Sequence, residues 1–321
     1  MSVNSGSDIN AADYNGLQSR IANILGNGSG TSGYGQSLSS SQVTANVSNV
    51  TASRMDQLRI DMNKAYAHQE NTNSSLGDIQ VGNIIGANAS NTGSTAGVGT
   101  SNMTDSNKGI NDYFSLMTTI ENNKFKIDPN QASVEAAITN QRTTAWNGTI
   151  THSFTVTFNN ANHRRHFFNS GGEIRFTANI SGGSGAKTND WRTMLSNMGT
   201  IKFNYTSTVS TGTGTGSAIG NYDLLSSYQQ IFQKGGSGVY AENDYIVRAR
   251  ANSTSQIEFQ VRFQDDDLGD QQPPNPPGAG FVGPAEDENV NGTITSTIQQ
   301  FRATGLNVEV ASPSYSNTST L

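Results

Sequence analysis

The sequence predicts a mainly β protein with N-terminal α-helices and an antiparallel β-sandwich or jelly-roll-like C-terminal domain. Three observations carry this reading. Two related helical segments precede residue 70, period-two alternation sets in after Thr149, and 34 Gly with abundant Ser, Thr and Asn accompany only 14% charged residues. At 321 residues and 33% hydrophobic content, the chain can bury a core and form two domains.

The first helical segment opens with Asn10-Ala11-Ala12-Asp13-Tyr14-Asn15-Gly16-Leu17, and its pattern returns in Thr51-Ala52-Ser53-Arg54-Met55-Asp56-Gln57-Leu58. An apolar residue, Ile9 or Val50, precedes each N-cap candidate, placed to staple onto the first turn. Tyr14, Leu17, Ile21, Ile24 and Leu25 recur at helical spacing, as do Met55, Leu58, Met62 and Tyr66. The expectation is a paired hairpin across the Gly/Ser-rich stretch 26–41. Its stripes look too narrow for a separate core, so residues 1–69 are expected to be a docking region. Tyr14, Leu17, Ile21, Met55, Leu58 and Met62 are its docking and assembly residues.

Residues 70–108 are rich in Asn, Ser, Thr and Gly and poor in large apolar groups, which predicts a flexible linker or a segment ordered only against a neighbour. Residues 109–148 are expected to form a helical connector. Tyr113, Phe114, Leu116, Met117 and Ile120 mark one helix. Asp128-Pro129 starts another through Val134, Ala137 and Ile138, ending near Trp146-Asn147-Gly148.

Residues 149–321 are expected to form the sandwich. Ile150, His152, Phe154, Val156 and Phe158 share one strand face. Alternation continues through Ile174, Phe176, Ala178 and Ile180; Ile201, Phe203 and Tyr205; Tyr245, Val247 and Ala249; and Ile257, Phe259, Val261 and Phe263. Ile294, Ile298, Leu306, Val308 and Val310 suggest two more strands. One inserted helix is expected from an Asp190 N-cap through Trp191, Met194, Leu195 and Met198. Phe167 and Phe168 would lie on opposite faces of a strand and, with Trp191, serve as core or interface residues. The proline-rich run 271–283 reads as an exposed loop.

A net charge of −6 and a pI near 5.2 give no basic field for a phosphate backbone, so nucleic acid is not an expected partner. The absence of cysteine removes disulfides, thiolate metal sites and a cysteine nucleophile. No apolar run suffices to cross a bilayer, and Met1-Ser2-Val3-Asn4-Ser5 lacks the basic start and apolar core of a signal peptide. Synthesis in a cytoplasm without secretory export or membrane insertion is therefore expected.

Candidate chemistry is sparse. His163-Arg164-Arg165-His166 spaces two imidazoles as a helix would, yet its surroundings read as a strand or turn and ligation needs at least one more convergent donor, so a basic turn or inter-subunit contact is expected. The run Asp265-Asp266-Asp267-Leu268-Gly269-Asp270 offers oxygen ligands for calcium but lacks EF-hand spacing and a distal Glu, so a solvated loop end is expected. Thr211-Gly212-Thr213-Gly214-Thr215-Gly216-Ser217-Ala218-Ile219-Gly220 has no Lys-Ser/Thr to complete a phosphate loop, so it reads as a flexible strand connection. None of the four histidines sits in a nucleophile-elbow context. Trp191, Tyr205, Tyr222, Tyr228, Tyr240 and Tyr245 could form a glycan platform, but at these spacings serve more often as core or interface anchors. No cofactor, metal or catalytic residue is assigned.

Leu58-Arg59-Ile60-Asp61-Met62-Asn63-Lys64-Ala65-Tyr66-Ala67-His68-Gln69 resembles a recurring segment of tailed-bacteriophage structural proteins, particularly those of contractile-tailed cyanobacterial phages. Trp146-Asn147-Gly148 through Phe167-Phe168-Asn169-Ser170-Gly171-Gly172-Glu173-Ile174-Arg175-Phe176 to Trp191 and Gly199-Thr200-Ile201 resembles the same group. The resemblance implies a non-enzymatic virion component of the tail, baseplate, collar or fibre apparatus, assembled in the host cytoplasm. Its partners would be copies of itself and other virion proteins. A receptor-binding adhesin for a host surface glycan is the alternative, and a glycan-degrading enzyme a more distant third.

Overall fold

A computed structural model describes residues 10–44, 50–79, 109–267, 269–271, 285–286 and 288–320. Among these the fold is mixed α/β with substantial β, comprising five helices and two antiparallel five-stranded sheets. Contacts divide the chain into two units. One gathers Met1–Ser133, Arg165–Gly172 and Arg302–Ala311; the other gathers Val134–Arg164, Glu173–Phe301 and Ser312–Leu321.

The first unit is built on α1 (Ala11–Ile24), α2 (Ala52–Glu70) and α3 (Ile110–Asn122), each of which packs on the other two. The Asn10 side chain accepts from the Ala12 and Asp13 amides while Asp13 reaches back to Asn10, and Thr51 caps α2 through the Arg54 amide. Both expected caps are present, although Ile9 lies outside the described residues. Asn71, in the left-handed region at φ 54°, closes α2.

Polar side chains bind the stretch 26–44 to these helices. Tyr34 is buried and donates to the Lys124 carbonyl at 2.7 Å, and Gln69 donates to both the Tyr34 hydroxyl and the Ile120 carbonyl. Asn15 bonds both backbone groups of Val43. The start of the expected linker is likewise held: Leu76 and Ile79 are buried, and Arg59 pairs with Asp78 at 2.6 Å. Residues 80–108 of that linker lie outside the described residues.

In the second unit, one sheet has the order β1 (Ala132–Arg142), β11 (Thr293–Ala303), β3 (Glu173–Ser181), β4 (Ile201–Phe203), β5 (Thr208–Ser210). The other runs β12 (Ser314–Thr320), β2 (Thr149–Thr157), β8 (Gln256–Gln264), β7 (Asp244–Ser253), β6 (Gln229–Gly235). A two-residue pair, β9 (Asp270–Gln271) and β10 (Ala285–Glu286), flanks the proline-rich run, whose residues 272–284 lie outside the described set. The alternating residues of β2, β3, β7 and β8 bury the faces read from sequence. Phe259 of β8 meets Phe176 of β3 at 4.9 Å and Phe203 of β4 at 5.2 Å between ring centroids, so the apolar faces of the two sheets touch.

Several elements differ from the sequence reading. The helix expected after Asp128-Pro129 is one 3₁₀ turn, Pro129–Gln131, followed by β1. The connector 109–148 is thus helical only in its first part. Val134, Ala137 and Ile138 suit either period over so short a run, and pairing beside β11 decides for the strand. Trp146 makes a β-bridge with Val290 and ends no helix. Two helices, not one, interrupt the strands: α4 (Ala161–Asn169) contains the His163–His166 pair and both Phe167 and Phe168, and α5 (Ala186–Met198) begins before Asp190. Tyr205 sits in the bend between β4 and β5, outside either strand. Leu306 is fully exposed, Val308 and Val310 are buried without forming a strand, and the last strand is the polar β12.

Candidate functional site

The expected docking residues are interior. Tyr14, Leu17, Ile21, Met55, Leu58 and Met62 are each at most 1% exposed, in the core that α1, α2 and α3 build together. Each apolar side chain so buried contributes roughly 1.5–3 kcal/mol, and none is presented to a partner while the core is closed. Phe167 and Phe168 are also fully buried, edge to face at 5.1 Å in the last turn of α4, and do not divide between two strand faces. The glycines after them permit the turn into β3. Gly171 has φ +84° and no room for a Cβ beside Ile127, while a Cβ on Gly172 would strike the Phe167 carbonyl.

The histidine pair of α4 has helical spacing, but its rings are engaged separately. His163 Nδ1 accepts the Asn159 amide at 3.0 Å and packs on Phe158; His166 Nε2 lies 3.0 Å from the Asn27 carbonyl. Between them, Arg164 is buried and spans Asn221 at 2.7 Å and the Ser253 carbonyl at 2.9 Å, with burial lowering its pKa to about 10. The strand reading missed α4, whose local signal is the cap residue Asn160, accepting the His163 amide at 2.9 Å.

Both open sides of the two sheets are tied within the chain. On one side, Asn140 of β1 donates to the Thr318 carbonyl of β12 at 3.0 Å, and Asn317 of β12 donates to the Thr139 carbonyl. On the other side lies the glycine-rich run. Thr208 of β5 pairs with Ser217, and Thr215 pairs with Gln233 of β6, each through two reciprocal backbone hydrogen bonds of 2.8–3.0 Å. The alternation of Thr with Gly follows from this role. A Cβ on Gly212 would approach the Asn197 carbonyl to 2.1 Å, one on Gly214 the Phe232 ring to 2.3 Å, and one on Gly216 the Thr208 carbonyl to 2.1 Å. The run does connect strands, as expected, and it also covers two edges that would otherwise be templates for pairing.

The outer face of the second sheet is polar and low in charge near one edge. Ser314, Ser316 and Thr318 of β12 stand opposite Thr157, Thr155 and Ser153 of β2. Charge returns on β7 and β8, where Arg250 pairs with Glu258 at 2.6 Å and stacks over Tyr228. The glycan-platform residues do not assemble: Trp191 and Tyr245 are completely buried, whereas Tyr228 belongs to this half-exposed cluster.

The acidic run turns inward. Lys187, in the first turn of α5, is fully buried, with Nζ 3.2 Å from both carboxylate oxygens of Asp265 and 3.1 Å from Asp267 Oδ2. Asn243 Oδ1 accepts the Asp266 and Asp267 amides and fixes this bend. These carboxylates face an ammonium group, the opposite of what calcium requires, and no cluster of three or more metal-ligating side chains occurs among the described residues. One cavity of about 230 Å³ lies in the helical unit, lined by Tyr66, Ser74, Ser75, Asp112, Ser115 and Thr119 among others. No helix among the described residues is long and apolar enough to cross a membrane.

No protein-family model matches the chain, and no match was found among curated proteins or solved structures.

Proposed function

We propose that this chain is a non-enzymatic structural component of a tailed-phage particle, its two sheets forming a closed sandwich that presents a polar surface to copies of itself or other virion proteins. The observation that carries this reading is the hydroxyl-lined outer face of β12 and β2. Ser and Thr hydroxyls can form hydrogen bonds across a contact without the desolvation cost of burying charges. Polar side chains elsewhere serve as structural ties: Asn140 and Asn317 join edges, Asn15 and Gln69 hold residues 26–44 as a strap, and Arg164 links Asn221 to the end of β7. The resemblance of residues 58–69 and 146–201 to phage structural proteins supports the same reading.

Sealed edges set the mode of assembly in this reading. Association by strand addition is blocked on the sides that the Asn pair and the glycine-rich run cover, so contacts would use sheet faces and loops. Reconstruction of purified particles, with peptide mass spectrometry of their subunits, tests the proposal. The expected result is this chain at a fixed, symmetry-related copy number. Its absence from particles, or glycan binding by a free monomer, would overturn the proposal.

A further inference from the structure

The cluster of Lys187, Asp265 and Asp267 places a primary amine, a carboxyl carbon and a second carboxyl group together in a dry pocket. Lys187 and Asp265 side chains are fully buried, and that of Asp267 is 7% exposed. A buried aromatic cluster adjoins these residues along the chain. Trp191, one turn along α5 from Lys187, meets Trp146 at 5.3 Å and Phe263 at 5.9 Å, and Phe263 meets Tyr245 at 5.3 Å. Glu288 accepts the backbone amide of Lys187 at 3.4 Å, which helps to fix the start of the helix.

We propose that Lys187 and Asp265 react with each other to form an intramolecular amide between Nζ and Cγ. Water excluded from the pocket favours proton transfer within the ion pair, giving neutral amine and neutral acid. The Nζ lone pair then attacks Cγ, whose two oxygens each lie 3.2 Å from Nζ, so no diffusional encounter is needed. Asp267 takes the proton released from nitrogen and returns it to the departing Asp265 oxygen. One C–N bond forms, one C–O bond breaks, one water leaves, and no atom changes oxidation state.

The product is a covalent staple between the first turn of α5 and the end of β8, 78 positions apart in sequence. A chain without cysteine has no disulfide to supply this constraint, and cross-links over long loops restrict the unfolded state most. Asn243 is a positioning residue, holding the Asp266–Asp267 backbone against the amine.

Intact-mass measurement of the purified full chain after denaturation tests the inference. The expected result is a mass lighter by one water than the sequence requires, with trypsin failing to cleave after Lys187 and the peptide holding Lys187 joined to the one holding Asp265. Lys187→Arg should restore the full mass. Asp267→Asn, which retains both reacting groups, should link slowly or not at all. Full sequence mass in the wild-type protein, with normal cleavage after Lys187, overturns the proposal. Water loss confined to an unbranched peptide also overturns it, because that marks a cyclic imide. Linkage of Asp267→Asn at the wild-type rate removes Asp267 from the chemistry.

Discussion

Asp61 Oδ2 accepts both the backbone amide and the hydroxyl of Ser40, each at 2.7 Å, while the Ser39 amide approaches the two carboxylate oxygens at 2.8 and 3.0 Å. A carboxylate on α2, completely buried, thereby fixes a Gly/Ser-rich segment that has few apolar groups of its own. Asp61→Asn substitutes a donor where an acceptor is required. It should cost roughly 2–4 kcal/mol. Hydrogen exchange at residues 39–43 and urea unfolding of the full chain measure it, and unchanged protection would show that the carboxylate does not anchor the strap.

Two buried histidines set an acid limit on stability. Burial lowers the pKa of His68 to about 4, only partly opposed by its contact with the Ser170 carbonyl at 3.0 Å. Burial lowers that of His152 to about 4 as well, with the charge of Arg142 acting in the same direction. Because the folded-state values lie below the ordinary 6.5, the unfolded chain gains protons first as pH falls. Stability present above pH 6.5 should therefore decline progressively down to about 4, by on the order of 3 kcal/mol per histidine at most. Urea midpoints across that window should slope in the wild type and flatten in His68→Phe and His152→Phe.

The glycine-rich run should tolerate no side chain at its inward positions. Gly214→Ala combines φ +129° with a clash against Phe232, and Gly216→Ala presses on the Thr208 carbonyl. Each should cost about 1–3 kcal/mol and expose the edges of β5 and β6. Light scattering should then show concentration-dependent aggregation. Gly182→Ala, at φ +65° with open space around its Cβ, is the control for backbone strain alone.

Phe167→Ala and Phe168→Ala should be comparably severe, about 3–5 kcal/mol each, because both rings are fully buried. Thermal melts decide between this symmetry and the unequal effects expected had the pair occupied a strand.

What could be read from the sequence follows the physics of each element. Asn10 and Thr51 announced their helices because a capping side chain acts on amides only two or three residues away. Ile150 to Val156 and Ile257 to Phe263 were legible because the sheets bury one face of each strand. β12 was not, since Ser-Tyr-Ser-Asn-Thr on an edge strand carries no apolar alternation. The polar ties were also illegible: Asn15 with Val43, and Gln69 with Tyr34, join positions whose proximity depends on tertiary packing. Lys187 carried no signal of its own, since it precedes the expected Asp190 cap and α5 begins earlier, at Ala186. Only the return of Asp265 and Asp267 from far along the chain revealed its setting.

The helical unit is completed by Arg165–Gly172 and Arg302–Ala311. Gln36 exchanges hydrogen bonds with the Glu309 backbone, and Gln131 receives the Thr304 amide, so the N-terminal helices are finished by residues near the far end of the chain. During synthesis, a ribosome must deliver the chain as far as Ala311 before this unit can close. Until then its apolar stripes are available to chaperones or to neighbouring nascent chains. A fragment cut after α3 would reproduce that incomplete state, making C-terminal truncation a more damaging lesion for the N-terminal helices than its distance in sequence suggests.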